Sequence, residues 1–178
     1  SLLVDGCGFY DNQSATHGGA VLFAGSTQRV QHSVFVGNAT RQDGGGIYND
    51  GLGNGDASIS IAASLFTTNT AGDYGAGVGS GNYARPEVSG CYFVNNRGLH
   101  GGGLADHIST TRITQSVISG NLARNHGGGL YARDLSPLDV ENCIVAGNEA
   151  MSVAGAVRGY HSSPRLTHVT MFKNRATS

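Results

Sequence analysis

This chain of 178 residues carries 11 Lys and Arg against 12 Asp and Glu, so it lacks the basic excess that binds DNA or RNA and the polybasic patch that binds anionic membranes. No apolar run reaches the roughly 18 residues that a transmembrane helix needs. With 29 Gly and no long amphipathic pattern a helical bundle is excluded as well. No signal peptide opens the chain, and Ser1 to Asp5 reads as the middle of a repeat. Residues 1–178 are therefore expected to form one domain that is a mature piece or module of a larger protein.

Seven asparagines mark the repeat: Asn12, Asn38, Asn69, Asn96, Asn121, Asn148 and Asn174, at steps of 26, 31, 27, 25, 27 and 26 residues. A period in this range is the mark of stacked units. In chain order, each copy opens on an apolar, mostly β-branched residue eight before the Asn: Val4, Val30, Ile61, Val88, Ile113, Val140, Leu166. A small residue follows five before it, with Cys7, Cys91 and Cys143 sharing the column with Ser33, Ser64, Ser116 and Val169. Three before it stands a large apolar residue: Phe9, Phe35, Phe66, Phe93, Ile118, Val145, Met171. After the Asn comes a small-residue triplet, from Gly18-Gly19-Ala20 to Ala154-Gly155-Ala156, and then Val21, Ile47, Val78, Leu104, Leu130 or Val157.

These apolar segments are too short for helices and read as strands. One such strand cannot bury its apolar side alone. Stacking equivalent strands gives parallel sheets, and three sheets closing around a core give an all-β fold, a parallel β-helix of about seven coils of about 26 residues. The Asn column fits a tight turn in the left-handed region and an amide ladder between coils. The glycines fit positive φ or close backbone approach. A phosphate-binding reading of them fails, because no Lys-Ser/Thr and no helix follows. At roughly 4.8 Å per coil, Cys91 and Cys143 lie about 10 Å apart, beyond the ~7 Å that a disulfide spans, so free thiols are expected.

The step from Asn38 to Asn69 is about five residues longer than the rest and places a Gly-rich loop at 49–57. Its Asp50, Asn54 and Asp56 are candidate oxygen ligands for Ca2+, or the residues of an ordinary loop. The column before the glycines holds His17, Asp43, Tyr74, His100 and His126. Within it, His100 and His126 are candidate transition-metal ligands, or rungs of a surface ladder. Past the glycines, Asp106 and His107, then Arg133 and Asp134, then Arg158, Tyr160 and His161 fall at nearly equivalent positions in successive coils. A polysaccharide lyase or hydrolase needs such a set: a base, an acid, and a cation for a uronate carboxylate. A solvated polar edge would look the same. Tyr48, Tyr131 and Tyr160 are candidate sugar-stacking rings, although Tyr48 and Tyr131 fit packing at a strand end equally well. Asn12-Gln13-Ser14 and Asn38-Ala39-Thr40 match the N-glycosylation pattern, but both asparagines belong to the ladder.

Phe9-x-x-Asn12, Phe35-x-x-Asn38, Phe66-x-x-Asn69 and Phe93-x-x-Asn96, with Gly18-Gly19-Ala20-Val21, resemble the F-x-x-N and G-G-A-[ILV] halves of the repeats of polymorphic outer membrane proteins. Similar repeats fill bacterial surface proteins of pectate-lyase-like shape. The resemblance covers essentially the whole chain. It implies a right-handed parallel β-helix and an extracellular or cell-surface location. That shape hosts adhesins, tailspikes, lyases, hydrolases and epimerases, so it leaves function open. Three readings follow. The first is a structural or adhesive rod about 34 Å long that displays polar loops. The second is an enzyme acting on an acidic glycan. The third is a filament subunit that associates end to end. Expected partners are a polysaccharide, a host or cell-surface ligand, or a second copy. No cofactor is required, with Ca2+ as the one candidate.

Overall fold

The computed structural model describes residues 2–53 and 57–177, and among them there is no helix. One coil shows the plan. In the second, Gln28–Gln31 lies in sheet A, Val34–Val36 in sheet B, Ala39–Thr40 in sheet C and Ile47–Asp50 in sheet D. Equivalent strands stack coil upon coil with every pair parallel, giving three seven-stranded sheets and one six-stranded sheet. The chain is a β-solenoid of seven coils. It has four sheets where the sequence pattern led us to expect three. The additional one, sheet C, is built largely of strands such as Ala39–Thr40 and Glu149–Ala150, which are only two residues long. Such strands carry no periodicity of their own and exist by pairing with the coils on either side.

Alternation along each strand points one column inward, and like residues stack on like. Phe9, Phe35, Phe66 and Phe93 form a ladder with ring centroids 4.6, 4.7 and 4.9 Å apart and planes within 6°. Val30, Ile61, Val88, Ile113 and Val140 from sheet A and Ile47, Val78, Leu104 and Leu130 from sheet D complete the buried core. Each ladder Asn is a turn residue whose side chain points into the solenoid. The Nδ2 of Asn69 donates to Oδ1 of Asn96 at 3.0 Å and to the Phe35 carbonyl at 2.9 Å. The Oδ1 of Asn96 also accepts from the Asn69 backbone N–H at 3.0 Å.

The left-handed residue of this turn is the one before the Asn: Asp11, Gly37, Thr68, Asn95, Gly120, Gly147 and Lys173 all have φ between 53 and 67°. The Asn is therefore selected for its amide, which satisfies backbone groups of two neighbouring coils. The triplet glycines serve both roles expected of them. Gly44 has φ 69°, and a Cβ on Gly45 would meet the Ala76 carbonyl oxygen at 2.5 Å. Cys7, Cys91 and Cys143 are free.

The outer faces differ sharply. Sheet A stacks Glu87, Arg112, Asp139 and Arg165 in register, an alternating charge ladder. Sheet B shows two outward columns, Gly8, Val34, Leu65, Tyr92, Val117, Ile144, Thr170 and Tyr10, Val36, Thr67, Val94, Ser119, Ala146, Phe172, and neither holds a charge. Sheet D carries the polar and aromatic residues considered next.

Candidate functional site

Sheet D places Ala105, Tyr131 and Arg158 in one outward column and His107, Arg133 and Tyr160 in the next. The turn ahead of the glycines adds a third column, in which Tyr74 pairs with His100, and His126 with Val153. The expected histidine column and the expected polar cluster thus lie side by side on one face. Their rings form a slab. His100 lies 5.1 Å from Tyr74, 5.1 Å from His126 and 5.0 Å from Tyr131, and His17 stacks on Tyr48 at 4.6 Å.

Two arginines flank the slab. The Nε of Arg133 donates to Oδ2 of Asp134 at 2.7 Å, and its Nη1 donates to the Tyr74 hydroxyl. Asp134 also has His107 at 3.6 Å and His161 at 3.3 Å. Partial desolvation pushes the Asp134 carboxyl upward. The hydrogen bond and charge of Arg133, helped by the two imidazoles, outweigh it and hold the group below its ordinary value. Arg158 stands 5.6 Å from the Tyr160 ring. Among the described residues it has no carboxylate within 4.0 Å, and its Nη1 is buried without a hydrogen-bond partner. Tyr74, His100, His126, Tyr131, Arg133, Arg158 and Tyr160 line an open depression of about 290 Å³. Burial lowers the His100 pKa to about 4, assisted by the charges of His126, Arg133 and Arg158. Burial, with Arg158, lowers that of His126 too. The site therefore presents neutral imidazoles and tyrosines around a guanidinium that has no acidic partner among the described residues.

Several expected site residues are placed differently. Asp106 is fully buried and does not join the outer cluster. Strand alternation turns Leu104 and Asp106 inward and Ala105 and His107 outward. Inside, Asp106 Oδ1 accepts a hydrogen bond from Thr111 at 2.8 Å, and burial pushes its pKa up to about 7. It shares an inner column with Asn49 and Ser80, both buried. Tyr48 and Tyr131 are buried, at 8 and 3% exposure, while Tyr160 at 39% reaches solvent.

His100 and His126 are adjacent, but the nearby arginines oppose a cation there. Among the described residues no third His, Cys, Asp or Glu gathers with them. Asp50 accepts hydrogen bonds from the Leu52 N–H at 2.9 Å and Asn82 Nδ2 at 3.0 Å, and Asn54 and Asp56 lie outside the described residues. The bond from Arg133 to Tyr74 joins residues 59 apart in sequence and was invisible until the coil register was known.

Residues 53–178 match the family described as right handed beta helix region, well over half of the chain, and the protein belongs to that family. Membership gives the solenoid its right hand. No curated protein and no solved structure shows a significant match. Among the described residues no helix is long and apolar enough to cross a membrane.

Proposed function

We propose that this protein is a rigid extracellular or cell-surface rod that captures a carboxylated polysaccharide on the outer face of sheet D without cleaving it. The observation that carries this reading is Arg158, a guanidinium without an acidic partner among the described residues, beside Arg133 in a depression lined by tyrosine and histidine rings. A guanidinium fork matches a carboxylate, and flat rings offer apolar faces to sugars. Cleavage requires an acid and a base free to exchange protons with substrate. Of the two carboxylates expected in that role, Asp106 faces the core and Asp134 is committed to Arg133, His107 and His161.

Titration calorimetry with polygalacturonate or alginate oligomers, against neutral dextran and with and without Ca2+, tests the reading. The acidic oligomers should bind, more weakly as salt rises, and dextran should not. Arg158→Ala should lose about tenfold or more in affinity, the scale of one charge-assisted hydrogen bond. Unchanged binding by Arg158→Ala would overturn the assignment of this site. Ultraviolet-absorbing unsaturated product, lost in Arg133→Ala, would replace capture by lyase chemistry.

A further inference from the structure

The outer face of sheet B is anomalous for a surface. Seven strands with two outward positions each present no charged side chain, in a chain whose sheet A face is a ladder of charges. Large apolar groups on it are open to solvent: Tyr10 is 60% exposed, Tyr92 53%, Phe172 49% and Ile144 43%. Seven strands at roughly 4.8 Å, three residues wide plus their corners, give a face of about 34 by 17 Å. That is on the order of 600 Å², at the upper end of apolar patches on monomers. It approaches the roughly 800 Å² that a standard interface removes from each partner.

We infer that this face is the contact between two copies of the chain, packed side by side and antiparallel. A half-turn about an axis lying in the face along the strands reverses the order of coils and leaves the strand columns aligned. Tyr92, on the fourth of the seven strands, then meets its own copy. Tyr10 on the first strand meets Phe172 on the last, and aliphatic Leu65 meets Val117. The flanking corner column begins at Asp11 and ends at Lys173, both exposed, so the same rotation sets each acid against the base of the other copy. Sheets packed in this way lie about 10 Å apart with interdigitating side chains. The face has the apolar character of homodimer interfaces, and its two ends are complementary in charge. A polyanion would find no cation among its outward columns, and a lipid surface would find only Lys173 along that corner.

Sedimentation velocity over a range of protein concentrations, under reducing conditions because Cys7 is exposed, tests the inference. The chain should pass from monomer to dimer. Tyr92→Arg sets like charges against each other at the centre and should weaken the dimer by about a hundredfold or more. Ser60→Arg, on the outer face of sheet A, should leave it unchanged. Asp11→Lys should weaken association, and the swap Asp11→Lys with Lys173→Asp should restore it. Circular dichroism confirms that each variant is folded. A monomer at every concentration, or a dimer that survives Tyr92→Arg, would overturn the interface. A charge swap that restores nothing would overturn the antiparallel arrangement.

Discussion

Asp106 should contribute a stability that is greater in acid than at neutral pH, and one substitution should remove that contribution. Its carboxyl is fully buried in the coil interior, where Thr111 donates a hydrogen bond to it at 2.8 Å. Burial raises its pKa from 3.8 to about 7. In the unfolded chain the group ionises near its ordinary value, and in the folded chain it keeps its proton until about pH 7. Below pH 3.8 both states are protonated and the group costs nothing. Between the two values the folded state binds the extra proton, so stability falls as pH rises. About three pKa units at 1.36 kcal/mol each set a ceiling of about 4 kcal/mol, reached above pH 7. Asp106→Asn keeps the acceptor for Thr111 and removes the titration. Guanidinium unfolding of both proteins from pH 4 to 8 measures the difference. The curves should meet near pH 4 and diverge steadily, with the variant the more stable at pH 8. Asp43 and Asp73, which burial also raises, are common to both and cancel. Curves that stay parallel across the range would refute the burial argument.

Other perturbations follow from the ladders and the thiols. Phe93→Ala opens a cavity in the stacked column and should cost about 3–5 kcal/mol in the same unfolding assay; a cost under about 1 kcal/mol would mean the ring is not in the core. Asn96→Ala leaves the N–H and Nδ2 of Asn69 without their acceptor and removes the donor to the Phe66 carbonyl. At about 1–3 kcal/mol per orphaned buried group it should cost at least as much as Phe93→Ala, read by chemical denaturation. Of the three thiols, only Cys7 should react with an aromatic disulfide reagent in the folded protein. Cys143 is buried, and burial also raises the Cys91 thiol to about 11. Rapid reaction of all three would contradict the packing.

The stacking was legible because each ladder repeats one residue type at one offset from the Asn, as Phe9, Phe35, Phe66 and Phe93 do. Sheet C was not, because a strand of two residues shows no pattern before its neighbours are known. The misplaced Asp106 shows a different limit. Asn49, Ser80 and Asp106 each stand five residues after the first Gly of a triplet, two residues beyond the core positions Ile47, Val78 and Leu104. Strict alternation from those positions would have turned Asp106 inward. Grouping residues by approximate position beyond the glycines placed it outside. The histidine column was found, but its contact with Arg133 depends on how far the side chains reach across coils, which spacing does not encode.

The asparagine ladder has a direction. Each amide between the first and last reaches forward to the next Asn and back to the carbonyl of the previous coil, as Asn121 does toward Asn148 and Phe93. Every coil therefore ends in the same plug and begins with the same socket. Excising residues 97–121 would bring Asn96 against Asn148, with both connections still matched. The length of this rod is thus a free variable, reset by duplicating or deleting whole repeats, and each new length inherits a finished solution to the folding problem.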